Sequence, residues 1–315
     1  MKYIENLKSG TQISEIYLCK SRTSALTKAG KPYDNVILQD KTGTIDAKIW
    51  DPDSAGIADF EELDYVEVTG DVNLFMGKNQ LIIRRARIAD ADEYQIQDYI
   101  PVSAVDPSVM YKDLLGFIDS ISNPYLKQLL ESFFLDPEFG KLFMKHSAAK
   151  TMHHGYVGGL LEHTLSVTRF CDFLAERYSL LNRDLLLTAA MFHDIGKTRE
   201  ISPFPQNDYT DEGQLLGHII IGVEMLDEHI REIDGFPVII ANELKHCILA
   251  HHGELEFGSP KKPALAEAFA LATADNADAK LQMLTEVMEK TEEGNTTWLG
   301  FNRQFESNLR RTSEI

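Results

Sequence analysis

The run Leu185-Leu186-Leu187-Thr188-Ala189-Ala190-Met191-Phe192 is apolar but for one threonine, and His193 and Asp194 follow it directly. A stretch of this kind goes into a core. An imidazole and a carboxylate carried in with it are costly unless something satisfies them. A divalent cation would do so, because both groups are common metal ligands. The fold is therefore constrained to bring further ligands to one buried point from elsewhere in the chain.

The chain has 315 residues, enough for two domains. No apolar run approaches the roughly 18–20 residues that span a bilayer, and the start, Met1-Lys2-Tyr3-Ile4-Glu5-Asn6, has no signal-peptide core. Cys19, Cys171 and Cys247 are far apart and odd in number, which suits buried thiols in a reducing compartment better than a disulfide framework. The expectation is a cytoplasmic protein with no membrane partner. A net charge of −18 argues against coating nucleic acid through a broad basic surface, but leaves a local groove open.

Residues 1 to about 90 read as five short strands: Thr11 to Lys20, Tyr33 to Asp40, Thr44 to Trp50, Tyr65 to Val72 and Gln80 to Ile88. Turn residues separate them at Ala29-Gly30-Lys31-Pro32, Lys41-Thr42-Gly43 and Met76-Gly77-Lys78-Asn79. A short helix is expected over Ser54 to Leu63. Five strands with a helix after the third is the order of an OB-fold barrel. Such barrels bind single strands with aromatic and basic side chains. The candidates are Tyr33, Trp50 and Phe75, with Lys31, Lys48 and Arg84. Against this, aromatics in a small barrel are commonly core, and residues 1–95 hold 12 basic against 16 acidic side chains, so no basic face stands out.

Residues 93–107 read as a linker after a barrel domain of residues 1–92. From Ser108 the apolar period becomes helical, and an all-α domain is expected over residues 108–290. Asn123-Pro124 and Asp136-Pro137 mark two of its helix starts. Residues 291–315, with Trp298, Phe301, Phe305 and Leu309, read as a C-terminal extension packed on the helices.

The helical part spreads polar groups one or two per helix. His163 lies in an apolar helix, and His193-Asp194 ends the next, which Gly196 closes. His218 opens the run Gly217 to Ile221, and His251-His252 ends a helix before Gly253. Asp275 sits in a long amphipathic helix, with Asp278 one turn later. A lone histidine on an apolar helix is usually just a core or surface residue. Seven imidazoles and carboxylates over five successive helices match the way bundles build metal sites.

The order His163, His193-Asp194, Asp275 resembles the signature of the HD superfamily of metal-dependent phosphohydrolases, and His218 with His251-His252 resembles its binuclear branch. That resemblance implies one metal on His163, His193, Asp194 and Asp275. It implies a second on Asp194, His218, His251 and His252, with Asp194 bridging. Asp275 matches the Ala-Asp of the motif, while Asp278 is the alternative. A five-stranded barrel containing Leu38-Gln39-Asp40-Lys41-Thr42-Gly43-Thr44-Ile45-Asp46-Ala47-Lys48 precedes Met152-His153-His154-Gly155-Tyr156-Val157-Gly158-Gly159-Leu160-Leu161-Glu162-His163-Thr164. Over nearly the whole chain this is similar to the YhaM family of bacterial 3′→5′ exoribonucleases. The likeness implies manganese-dependent removal of nucleotides from single-stranded RNA, with single-stranded DNA also accepted. Fe, Co, Zn, Ni and Mg are the other metals to consider; histidine and carboxylate suit most of them.

In such a site Asp194 is the catalytic centre. Lys197 is a candidate phosphate contact, or simply a cation at a helix end. His153 and His154, with Lys150 and His146 nearby, read as substrate contacts, and Arg199, Lys261 and Lys262 as weaker ones. Tyr209 to Gly213 reads as a loop over the site. Two other functions remain open at this level. One is an HD-type phosphohydrolase of a small or cyclic nucleotide, although no Gly-Tyr-Pro follows His193-Asp194. The other is a non-catalytic nucleic-acid-binding protein with a structural metal. Nothing in the sequence sets the oligomeric state.

Overall fold

A computed structural model describes residues 1–150, 154–289 and 297–313. It divides into two compact units: residues 1–104 with 203–208, and residues 105–202 with 209–315.

The first unit is a closed barrel of β1 (Gln12–Leu26), β2 (Pro32–Asp40), β3 (Gly43–Ile49), β4 (Tyr65–Phe75) and β5 (Lys78–Ile88). The strand order is β1-β2-β3-β5-β4, with β3 and β5 parallel and the other pairs antiparallel, the OB-fold arrangement. β1 pairs with β4 through its first half and with β2 through its second, and a bulge at Cys19/Ser21 bends it where the pairing changes. Alternation sends Ile45, Ala47 and Ile49 of β3 inward to meet Val36, Leu38, Val66, Val68 and Leu81. Met76 and Gly77 both take positive φ in the two-residue turn joining β4 to β5, which matches the twist of the flanking strands.

Two expectations fail here. No helix forms over Ser54 to Leu63. Asp51-Pro52-Asp53 favours turns, and the segment lies along β5 instead. There Ala58 donates to the Ala86 carbonyl, Ala86 donates to that of Gly56, and Phe60 is buried. Residues 93–104 are not a free linker. Tyr94 stacks on Tyr65 at 3.8 Å, Tyr99 and Ile100 are buried, and Gln39 donates to the Tyr99 carbonyl.

The second unit contains α1 (Pro107–Asp119), α2 (Pro124–Phe134), α3 (Pro137–Lys145), α4 (Gly159–Arg177), α5 (Arg183–Phe192), α6 (Lys197–Glu200), α7 (Asp211–Glu232), α8 (Val238–Leu249) and α9 (Ala266–Glu289). The first three start alike. Asp106, Asn123 and Asp136 accept from the backbone two residues on, with proline at the first helical position. α5 is buried on every side from Leu185 to Phe192, so it is the axis around which the others pack. No helix among the described residues is long and apolar enough to cross a membrane.

The C-terminal stretch forms a hairpin of β6 (Trp298–Asn302) and β7 (Ser307–Arg310). Arg311 bonds the Met288 carbonyl and Phe305 is half-buried, but Trp298 and Phe301 stay exposed rather than packing on the bundle. Alternating apolar residues around Gly300 favour a strand over a helix.

Candidate metal centre

Five helices and their ends deliver the polar groups. α4 carries His163, the end of α5 carries His193, and the turn after it carries Asp194. The second segment of α7 begins at His218, the end of α8 carries His251 and His252, and α9 carries Asp275. Two glycines make this convergence possible. Gly217 takes φ +74° and breaks α7, so His218 starts a new helical segment. Gly196, expected to close the helix that ends at His193-Asp194, sits at φ −64°. Its real role is close approach: a Cβ there would lie 2.0 Å from the His218 carbonyl oxygen and 2.6 Å from the Gly222 nitrogen. The absent side chain lets α7 touch the Asp194 turn.

The groups form two triads around one carboxylate. The ligand atoms of His163, His193 and Asp275 all lie within 4.8 Å of one another, as do those of His218, His251 and His252. Asp194 stands between them. Its Oδ2 is 3.3 Å from His163 Nε2 and 3.4 Å from His193 Nε2, while its Oδ1 is 3.5 Å from His218 Nε2 and 3.8 Å from His251 Nε2. Asp275 Oδ1 lies 3.2 Å from His163 Nε2.

The outer ring nitrogens fix the tautomers. His193, His251 and His252 each meet a backbone carbonyl through Nδ1, at Ala190 (2.8 Å), Ile248 (2.7 Å) and Phe257 (2.9 Å). A carbonyl only accepts, so Nδ1 carries the proton and Nε2 turns a lone pair inward. His163 and His218 do the same with carboxylates: Nδ1 of His163 meets Asp278 at 2.7 Å, and Nδ1 of His218 meets Glu200 at 3.1 Å. Five imidazoles thus aim Nε2 at a common region, each held by a partner on its far side, as metal-binding histidines are.

This arrangement is unsatisfied by itself. Asp194 Oδ1, His218 Nε2 and His251 Nε2 are buried and have no hydrogen-bond partner. His163 Nε2 and His193 Nε2 face each other at 3.1 Å. Buried acceptors pointed at one another are what divalent cations satisfy. The electrostatics agree. Burial acts to lower the pKa of His163, and the Asp194, Asp275 and Asp278 carboxylates more than reverse it. Asp275 is held well below the usual carboxylate range, with burial opposing the shift and His163 and His193 driving it. In the other triad burial pushes His251 and His252 down, and the neighbouring imidazoles add to it, so these rings are neutral donors.

The remaining expected site residues fall in varied places. Lys197 Nζ bonds Asp194 Oδ2 at 2.6 Å; burial opposes its charge and the Asp194, Asp275 and Glu200 carboxylates restore it. Its charge is taken up by the Asp194 carboxylate. His154, expected to touch substrate, is 2% exposed, with Nε2 on Asp278 and Nδ1 on the Tyr156 hydroxyl. His153 lies outside the described residues. His146 is buried. Arg199 pairs with Glu212, and Lys262 with Glu254. Asp211 to Gly213 is the first turn of α7, capped by Thr210, not a loop. Sequence reasoning missed Glu200, which also accepts from the His218 amide at 2.9 Å, and Ser166, which donates to Asp278. Asp278, the alternative ligand by sequence, has its carboxylate taken up by His154, His163 and Ser166.

In the barrel, Tyr33 and Trp50 meet at 5.2 Å and Lys48 Nζ lies 5.2 Å from the Tyr33 ring centre. Trp50 is half exposed. Lys31 is exposed just before β2. Phe75 stands at the β4–β5 turn, exposed with Leu74 and Met76. Arg84 is paired with Asp71 at 2.6 Å. Among the described residues no ring or ion contact joins Phe75 or Arg84 to the Tyr33 group.

A family model described as "HD domain" matches residues 160–280, the stretch that holds every group of the two triads. The chain is 36% identical to the 3′-5′ exoribonuclease YhaM of Bacillus velezensis over 302 residues, covering 94% of this chain and 95% of that one. It is 35% identical to the protein of the same name from Bacillus subtilis, over the same shares of both chains. With that from Listeria monocytogenes it shares 33% identity over 93% of each.

Proposed function

The chain belongs to the YhaM family of 3′-5′ exoribonucleases, and from that membership we propose that it removes nucleotides stepwise from the 3′ end of single-stranded RNA at the two-triad centre. The observation that carries this reading is the pair of carboxylate oxygens on Asp194, each turned toward a different triad.

The residues fit two divalent cations. His163, His193, Asp194 and Asp275 would hold one, and Asp194, His218, His251 and His252 the other. Manganese is the first candidate; iron, cobalt, zinc, nickel and magnesium are the alternatives. When bound, such a pair supplies a nucleophilic water at neutral pH and offsets charge on the phosphate during in-line displacement. The water oxygen bonds to phosphorus, the bond to the upstream 3′ oxygen breaks, and that oxygen takes up a proton. The products are a 5′-mononucleotide and a strand shorter by one.

The chain's own groups prepare this. Lys197 keeps Asp194 ionised and fixes its rotation. Asp278 and Glu200 hold the Nδ1 protons of His163 and His218, so both rings keep Nε2 free. His154 and Ser166 fix Asp278 in turn. In the barrel, Tyr33, Trp50 and Lys48 offer stacking faces and a cation to the strand, with Lys31, Phe75 and Arg84 as outlying contacts. Single-stranded DNA presents the same features and is a second substrate in this reading. The three free buried cysteines suit a cytoplasmic setting.

The test uses metal-stripped protein, a 5′-labelled single-stranded RNA and added Mn²⁺, beside an Asp194→Ala variant. The expected result is a ladder shortening from the 3′ end only with metal, with the variant slower by on the order of a thousandfold or more. Intact RNA alongside a consumed mononucleotide would overturn the reading in favour of a small-nucleotide hydrolase. Equal cleavage by the variant would place the chemistry elsewhere.

A further inference from the structure

One stripe of α4 leads out of the centre into an open groove. His163, Ser166, Phe170 and Phe173 are spaced i, i+3, i+7 and i+10, so they share one face of the helix. The first two belong to the centre, through Asp278. The last two leave the core: Phe170 is 37% exposed and Phe173 58%. Their rings are parallel to within 1°, with centroids 6.4 Å apart. Across from them α9 contributes Asp278, Ala277 and Leu281, the last 63% exposed. Together these residues line a groove of about 360 Å³. Asp278 lines the groove and also meets His163 at Nδ1, so the groove adjoins the carboxylate that holds this ligand from behind.

The chemistry of the groove narrows its occupant. Beyond Asp278, Ser166 and Arg169, its walls are aromatic faces and aliphatic side chains. Arg169, the one basic lining residue among the described residues, is engaged by Asp113 at 2.5 Å. With no unpaired cation among the lining residues, the groove suits flat, uncharged rings better than phosphates. Phe170 and Phe173 lie about 10 and 15 Å from His163 along the α4 axis, at about 1.5 Å per residue. With bases stacked about 3.4 Å apart, and fewer where the strand is extended, that reach corresponds to roughly the second to fourth nucleotides from the cut.

We propose that the α4–α9 groove is a stacking subsite for the nucleobases just upstream of the 3′ nucleotide being removed. This rests on the exoribonuclease reading and extends it. Stacking on aromatic rings is tolerant of base identity. An enzyme that meets a new 3′ end after each turnover needs that kind of grip, and an apolar wall without fixed hydrogen bonds lets the strand advance.

The test is a cycle of two changes, one in the full-length protein and one in the RNA. The protein change is Phe170→Ala with Phe173→Ala; the RNA change is abasic sites at the second to fourth positions from the 3′ end. The double variant should raise KM for ordinary RNA between about fivefold and about 150-fold. Abasic RNA should raise the KM of the unaltered protein similarly, and the two changes together should add little more. Phe173→Trp, which keeps a stacking face, should bind at least as well as the unaltered protein, which separates stacking from any loss of fold. Unchanged KM in the double variant, or losses that multiply, would overturn the subsite while leaving the exoribonuclease reading in place. So would a drop in molar mass of the double variant by light scattering, because the groove would then cover a second copy of the chain. Failure of the unaltered protein to shorten RNA would remove the exoribonuclease reading and the subsite with it.

Discussion

The two units treat buried polar groups in opposite ways. In the barrel they are paired. Asp34 accepts from Arg22 and Ser24, Asp40 accepts from the amides of Ile4 and Thr42, and Gln39 donates to Tyr99. In the helical unit several are not. Among the described residues, the buried side-chain polar atoms without a partner belong to His146, Thr188, Asp194, His218, His251, Ser259 and Arg311. A fold left to its own needs satisfies its interior, because an unpaired buried polar group costs about 1–3 kcal/mol. The barrel has done so. The helical unit carries the cost at Asp194, His218 and His251, which turn toward one region, and that convergence separates a ligand cage from scattered imperfections.

Metal removal should widen this contrast most. Chelation should abolish RNA hydrolysis and loosen the helical unit. Mn²⁺ restored at a hundredfold over its Kd should return about 2.7 kcal/mol of stability. Hydrogen exchange followed by mass spectrometry should find the lost protection in α4, α5 and α7 and not in β1–β5. Equal loss in the barrel would break the comparison.

Next in size are the groups behind the ligands. Asp278→Asn and Glu200→Gln keep shape and remove charge, and each should weaken metal affinity by about tenfold to a hundredfold. Calorimetric titration with Mn²⁺ on each variant reads this directly, and an unchanged affinity would mean the histidines need no anchoring from outside.

His146 sharpens the contrast from a different side, because it is an orphan away from the two triads. Burial pushes its pKa down to about 4. The unfolded chain therefore takes up a proton near pH 6.5 that the folded protein refuses until near pH 4. Stability is full above pH 6.5 and falls with pH through that window. Between pH 7 and pH 5 the cost is about 2 kcal/mol, and His146→Leu should not show it. Urea midpoints at the two pH values, compared between the variant and the unaltered protein, measure the difference. The smallest effect belongs to the barrel: Trp50→Ala should weaken RNA binding by about fivefold in fluorescence anisotropy.

Much of this was legible in the residues, and the failures share a cause. The alternation of Ile45, Ala47 and Ile49, and the Asn123-Pro124 and Asp136-Pro137 helix starts, are local signals that survive folding. The helix expected over Ser54 to Leu63 was lost to pairing with β5, some 30 residues away in sequence, which no local pattern reports. The supposed linker was lost to stacking of Tyr94 on Tyr65 in the same way. At the centre, His193-Asp194 was visible because polar residues after an apolar run are conspicuous. Glu200 was not, because an acidic residue on a four-residue helix looks like ordinary surface until His218 is found beside it. His154 looked exposed for the same reason: its partner Asp278 is 124 residues away.

Gly196 has a consequence for anyone reading a mutational scan of this protein. Alanine is the smallest change the genetic code allows there, a single methyl. It alters no charge, deletes no donor and meets no nucleotide, yet that methyl would be driven into the His218 carbonyl, and α7 would have to retreat. His218 would retreat with it, away from Asp194. In an assay such a variant would be scored beside the ligand knockouts, and the position would be catalogued as chemistry when what it supplies is clearance.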